Sequence, residues 1–345
     1  MTRDLEFGLD TFGDVTVDEQ GQPLSQAQVL RHVVAEAELA DRLGLTFFGV
    51  GEHHRDDFAV SAPEVVLGVI VGRTSTIRLG TAVTVLSTDD PVRVFQRFST
   101  LNALSGGRAE VILGRGSFTE SFPLFGYDLS QYNALFEEKL DLFARLLREP
   151  VVTWAGRTRA PLSAQPVYPP VEGTLRAWVG VGGSPESVVR AARHGLPLML
   201  AIIGGSPERF RPWAELYRRA LGEFGHADLP VGAHLPGYVA ESDTQAREEL
   251  WPHHAALFGR IGAERGWPPM SRAQFDRETG PEGALCVGAP ETVARKIASA
   301  VRALGLSRVD LKYSAGTLPH PRLLRSIELY ASAVVPRVRE LLRES

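Results

Sequence analysis

Cysteine is nearly absent: Cys286 stands alone in 345 residues, which excludes an intrachain disulfide framework and any zinc site built on cysteine. No apolar run approaches the roughly 20 residues that cross a bilayer. The opening Met1–Glu6 is charged where a secretory leader would be apolar. Basic blocks are missing too. Lys and Arg number 37 against 41 Asp and Glu, a net charge of −4, so nucleic acid and anionic membrane find no electrostatic foothold. What is plentiful is apolar: 44% hydrophobic against 23% charged residues, the balance of a chain that buries a core. The expectation is a soluble, cytoplasmic globular protein.

Short β-branched runs alternate with longer segments of helical period. Strands are predicted at Leu5–Asp10, Thr46–Val50, Ile77–Leu86, Ala109–Leu113, Ala177–Val181, Leu198–Ile203, Val231–Val239 and Val309–Lys312. Between them, Val29, Val33, Ala37 and Ala40 mark a helix face that stops near Gly44, and Phe136, Leu140, Phe143 and Leu147 mark another. Pro63 and Pro290 open helices from the first turn. A last helix, carrying Leu324 to Leu341, bends at Pro336.

Eight strand–helix units predict one α/β domain over residues 1–345, a (β/α)8 TIM barrel. A doubly wound sheet would usually carry a GxGxxG turn after strand one, and Asp10-Thr11-Phe12-Gly13 is not one. Two insertions exceed the repeat. The stretch 150–175, with five prolines between Pro150 and Thr174, predicts a small hairpin. The stretch 265–285, rich in Gly, Pro and charge, predicts a lid.

Barrels work at the C-terminal ends of their strands. Those positions here hold Glu52-His53-His54, Gly114-Arg115-Gly116-Ser117, and the pentapeptide Gly182-Gly183-Ser184-Pro185-Glu186, which recurs 22 residues later from Gly204 to Glu208. Each pentapeptide places glycines at a strand exit, a serine N-cap and a first-turn proline. Free amides at a helix start, the Ser184 and Ser187 hydroxyls and the Arg115 guanidinium together suit a phosphate monoester. Taken alone, they fit equally well two capped helices and an Arg115–Glu120 ion pair. Adjacent side chains in a strand point to opposite faces, so only one of His53 and His54 aims into the barrel. That makes one of them an acid–base or hydrogen-bonding group and argues against a metal site. His253-His254 reads as packing. Gly80-Thr81-Ala82-Val83 is small where a core prefers bulk; it marks either room for a flat ligand or a bulge. Phe12, Phe58, Phe118 and Phe122 are candidate pocket walls.

In order and spacing, Glu52-His53-His54 with Phe58, Gly80-Thr81-Ala82-Val83, Asp90-Pro91-Val92-Arg93, Leu104 to Arg108 and Gly114-Arg115-Gly116 resemble the bacterial luciferase-like flavin monooxygenases. The similarity runs on through Phe125-Gly126, His194 to Pro197 and Val287 to Glu291. The resemblance implies a (β/α)8 barrel with His53 as catalytic histidine. It implies flavin-phosphate contacts from Arg115, Gly183, Ser184 and Ser187, with Gly204 and Gly205 from the second turn. It places Ala82-Val83, as a non-proline cis peptide, beneath the flavin ring. Gly114 stands where luciferase has cysteine and Gly183 where it has an acidic residue, departures that point to the wider monooxygenase group.

The reaction so implied uses reduced FMN, supplied by a separate flavin reductase, and O2 to oxygenate a small organic substrate. Relatives pair as homodimers, and the same is expected here. Alternatives within the resemblance are hydride transfer with a deazaflavin or a non-catalytic flavin-binding subunit.

Overall fold

The computed structural model of the chain describes residues 5–344. Eight strands form a closed, all-parallel barrel: β1 (Glu6–Thr11), β2 (Phe47–Val50), β3 (Arg78–Thr81), β4 (Ala109–Gly114), β5 (Arg176–Val181), β6 (Leu198–Ala201), β7 (Val231–Val239) and β8 (Arg308–Lys312). Each pairs with the next, and β8 closes on β1 with Glu6 opposite Arg308 and Asp10 opposite Lys312. Buried on both faces, these strands read as continuous apolar runs such as Phe47–Val50. The eight-strand reading therefore holds as a (β/α)8 barrel.

Local signals set the helices. Helix α1 (Gln26–Arg42) starts at a Ser25–Gln28 capping box, and Gly44 follows it at φ +75°. Helix α2 (Pro63–Val71) and helix α3 (Pro91–Leu104) both begin on proline; Asp90 caps α3 by accepting from the amides of Val92 and Arg93. Helix α4 (Tyr132–Leu146) buries Phe136, Leu140 and Phe143. Helix α5 (Pro185–Arg193) and helix α6 (Arg211–Glu223) follow β5 and β6, α7 (Asp243–Arg265) and α8 (Arg272–Thr279) follow β7, and α9 (Pro290–Leu304) precedes β8. The last helix is interrupted at Tyr330–Val334 by a π-helical turn in which the Val335 amide reaches back to the Tyr330 carbonyl. Pro336, lacking an N–H, is the cause, as its sequence position predicts.

The insertion at 150–175 is an antiparallel hairpin, Val151–Trp154 with Leu162–Pro166. Strand three is shorter than its sequence suggests. It ends at Thr81, the Ala82–Val83 peptide is cis, and Thr84–Val85 then pairs with Leu113 and Gly114 of β4. Gly80 serves that approach and not a ligand: a Cβ there would lie 2.4 Å from the Glu110 carbonyl oxygen.

A charged cluster fills the barrel floor. The Arg308 guanidinium, fully buried, donates to Glu110 at 2.6 Å and to Asp310 at 2.8 Å, and lies 3.5 Å over the Phe47 ring. Arg176 and Arg78 also pair with Glu110, the Trp178 indole N–H donates to it at 3.0 Å, and Arg176 continues to Glu6. One connected network thus ties β1, β3, β4, β5 and β8. Replacing Arg308 by methionine leaves Glu110 and Asp310 buried without that partner, and should lower stability by about 3–5 kcal/mol. A urea denaturation curve with an unchanged midpoint would refute that reading.

Candidate functional site

The barrel mouth divides into an apolar side and a polar side. On the apolar side, glycines crowd around Ala82-Val83. A Cβ at Gly49 would lie 3.0 Å from the Ala82 Cβ, one at Gly51 2.8 Å from the Ala82 carbonyl oxygen, and one at Gly114 2.5 Å from Val83 Cγ2. Gly114 is therefore a fit to Val83: a cysteine at this position would collide with it.

Strand β2 ends at Val50, so the Glu52-His53-His54 run lies in the loop beyond it, where the two imidazoles take different partners. His54 Nε2 lies 2.9 Å from Glu52 Oε1, and Glu52 Oε2 accepts the Val85 amide at 2.8 Å, which ties the exit of β2 to the segment after the cis peptide. His53 instead faces a cage of rings: Phe58 at 4.5 Å, Phe12 at 4.6 Å and Phe118 at 5.1 Å between centroids. Phe122 takes no part; it is fully buried and stacks on Tyr132. The nearest carboxylate to the His53 ring, Glu120, stands 4.0 Å from Nδ1, too far for a hydrogen bond. Burial outweighs the attraction of the Asp14 charge and pushes the imidazole down to about 3. His53 is thus a neutral hydrogen-bonding group at physiological pH.

Phe118 is held in turn by two cations, the Arg55 guanidinium 4.8 Å and the Arg265 guanidinium 5.0 Å from its ring centre. Arg55 makes a bidentate pair with Glu264 at 2.6 and 2.7 Å, and Arg265 donates to the Ser117 carbonyl at 2.8 Å. The cover over His53 therefore comes from the last turn of α7, at the edge of the stretch 265–285. Farther along that stretch, Trp267 lies against Arg265 and Glu278 reaches the Gly205 amide, while α8 packs inward. Phe275 of α8 is buried against Trp251 and His254, and Lys296 donates to the carbonyls of Gly280 and Leu285. His254 is a packing residue, as its sequence context suggests.

At the anion cradle, Arg115 pairs with no carboxylate among the described residues; it donates to Asn133 at 2.8 Å and lies over the Tyr132 ring. The ion pair with Glu120 that the sequence left open is not made. Ser184 caps α5, and its Oγ lies 2.7 Å from Ser187 Oγ. Gly183 sits at φ +107°, a conformation strained for any residue with a side chain. Asn133 and Glu137 share one face of α4, and Glu137 binds Arg190, whose Nη1 reaches Ser187 Oγ at 3.4 Å. One helix face thus carries partners of both Arg115 and Arg190. Arg190 was not foreseen; its only trace in the sequence is its place one turn beyond Ser187.

The second pentapeptide is built alike, with Ser206 as the cap, but opens a 3₁₀ turn. Its Gly205 amide donates to the chain's own Glu278 carboxylate at 3.3 Å. That amide, one of those the resemblance assigns to the flavin phosphate, is thus engaged by the chain's own carboxylate.

The polar side is another assembly the sequence did not reveal. Lys312 reaches Asp14 at 2.7 Å and Ser314 Oγ at 3.0 Å, and the Asp14 carboxylate accepts the Gly316 amide. Burial works to raise the Asp14 carboxyl, but the Lys312 charge and these hydrogen bonds hold it below its usual value. Asp10 and His234 meet beside them, 2.7 Å apart.

These groups gather at the C-terminal mouth of a TIM barrel. Comparison with known proteins gives the family. The sequence pattern described as luciferase-like monooxygenase matches residues 11–308, and the chain belongs to that family. It is 31% identical to the N-acetyl-S-alkylcysteine monooxygenase of Bacillus subtilis over 68% of this chain and 67% of that one. It is 24% identical to the alkanal monooxygenase alpha chain of Photorhabdus luminescens over 95% and 97%. Among solved structures, monooxygenase RslO1 of Streptomyces bottropensis superposes with a TM-score of 0.82 at 23% identity, covering 96% of this chain and 99% of that one. The oxygenating constituent of 3,6-diketocamphane monooxygenase from Pseudomonas putida, in complex with FMN, gives 0.76 at 16% identity over 97% and 99%. An F420-dependent secondary alcohol dehydrogenase gives 0.74 at 16% over the same shares. Among the described residues, no helix is long and apolar enough to cross a membrane.

The burial of His53 has a measurable consequence. Between pH 6.5 and about 3 the unfolded chain takes up a proton that the folded imidazole refuses, so acid favours unfolding across that window. The wild type should lose stability as pH falls from 6.5 towards 3, and His53→Gln should lose less. Parallel denaturation curves at pH 7, 5 and 4 check this; equal losses would contradict it.

Proposed function

We propose that this protein is a flavin-dependent monooxygenase that uses reduced FMN and O2 to oxygenate a small organic substrate. The observation that carries the reading is the cradle: a guanidinium with no carboxylate partner, two serine hydroxyls 2.7 Å apart, and the N-terminus of α5. That donor set fits a terminal phosphate monoester, as on FMN. Arg115, Ser184, Ser187 and the Gly183 amide would hold the phosphate, Arg190 would steady Ser187, and Ala82-Val83 would lie against the flavin ring. Bound there, the reduced flavin supplies the electrons that activate O2.

The chain's own residues do the rest. Phe12, Phe58 and Phe118 exclude water from the space beside His53, and the Arg55–Glu264 pair holds that cover in place. His53, being neutral, donates a hydrogen bond to the transferring oxygen without carrying charge into an apolar cage. The reduced flavin comes from a separate reductase.

The test is an anaerobic titration of the purified protein with reduced FMN and, in parallel, F420. Wild type should bind FMN, Arg115→Ala should weaken it at least tenfold, and His53→Ala should bind it normally while losing oxygenation. Binding of F420 alone would convert the reading to hydride transfer, unchanged turnover in His53→Ala would remove its role, and binding without any turnover would leave a flavin-binding subunit.

We also propose a homodimer. Apart from Glu64, which pairs with Arg97, helix α2 is apolar, with Val65 70% and Val69 51% exposed, and Leu104 at the end of α3 is 70% exposed. Light scattering should give twice the 37.6 kDa chain mass, falling to one chain in Val65→Glu/Val69→Glu. A monomeric wild type would refute the dimer.

A further inference from the structure

His234 is the fourth residue of β7, opposite Asp310 of β8 and Ala201 at the end of β6. Its Nδ1 meets Oδ2 of Asp10, a side chain 1% exposed whose other oxygen, Oδ1, has no hydrogen-bond partner. A carboxylate only accepts, so in the neutral ring this contact keeps the proton on Nδ1 and leaves the Nε2 lone pair available. Among the described residues Nε2 has no protein partner. The ring lies parallel to Phe12 at 6.1 Å, and Phe12 is also the neighbour of His53. The two imidazoles thus share one phenyl ring and have opposite endowments. His53 has no carboxylate within hydrogen-bond distance and is a poor proton acceptor; His234 has a buried one on Nδ1, so its Nε2 is the accepting atom.

We infer that His234, oriented by Asp10, is a second catalytic residue of the mouth, a general base that takes the proton of an acidic hydroxyl, and that the substrate class is phenols and enols. The inference rests on the mouth being the site of oxygenation, as proposed above. In the step, the substrate O–H bond breaks, an N–H bond forms at Nε2, and the electron pair stays on the substrate oxygen. The resulting imidazolium is balanced by Asp10. The anion left behind is the better nucleophile toward an oxygen donor, and the Phe12, Phe58 and Phe118 rings suit its flat body. Asp10 is a positioning residue. The other charged groups around the pair are already engaged: Lys312 with Asp14 and Ser314, and Asp310 with Arg308; His53 lies beyond Phe12.

The probe is 4-nitrophenol, whose phenolate absorbs in the visible, added to the full chain without flavin at a pH below the probe's own pKa. Wild type should raise the phenolate band, His234→Gln should abolish it, and Asp10→Asn should reduce it several-fold. Independently, ¹⁵N NMR of labelled histidine should find the Nδ1–H tautomer at 234, reverting toward Nε2–H in Asp10→Asn while His53 is unchanged. No band in wild type, an equal band in His234→Gln, or an Nε2–H tautomer in wild type overturns the assignment. Neither measurement involves flavin, so failure of the FMN titration with the band intact overturns the oxygenase reading alone.

Discussion

The barrel rests on the buried guanidinium of Arg308. Above it Gly49, Gly80, Gly114 and Gly180 let the strands and the Ala82-Val83 segment approach closely, since a Cβ at any of them would lie within 3.1 Å of a neighbour. Arg308, Glu110, Asp310 and Arg176 form a network that spans the floor, sealed by the rings of Phe47 and Trp178. Charges in such a place are tolerable only when each is matched, and their mutual attraction is strong because water is excluded. The close packing above is built on that matched floor.

At the mouth above this floor the two imidazoles differ by environment. His53 is surrounded by phenyl rings and held neutral by burial, whereas His234 is given a carboxylate. The same side chain thus meets two different surroundings on two walls, set only by neighbours. Phe12, at the exit of β1, touches both histidines and lies beneath the Lys312 ammonium, so it marks the border between apolar and polar halves.

Much of this fold was legible because its signals are local. Proline after a capping serine or aspartate starts a helix, glycine ends one, and β-branched runs of five or six residues make buried strands; these signals placed all eight barrel strands. Arg115, Ser184 and Ser187 stood out as a candidate cradle from the glycines, the serine cap and the first-turn proline around them, whereas His53 was singled out from His54 by the family resemblance. The Asp10–His234 and Arg55–Glu264 pairs were not legible. Their members are 224 and 209 residues apart and meet only when the barrel closes, so no window of sequence contains them. The break in strand three came from the resemblance, which put a non-proline cis peptide at Ala82-Val83, where the structure has it; composition alone ran the strand on to Leu86. Helix α7 runs to Arg265 through Pro252 and Gly262, so the stretch 265–285 begins on its last turn.

The twin pentapeptides show how identical words acquire different meanings. Both present glycine amides and a capping serine, but Glu278 accepts from the Gly205 amide at the second, and among the described residues no carboxylate accepts from an amide of the first. The two turns, 22 residues apart, are thus alike as sequence and unlike as surfaces. One is closed by the chain's own carboxylate and the other is not, which removes the near-symmetry that a repeated motif would otherwise give the mouth.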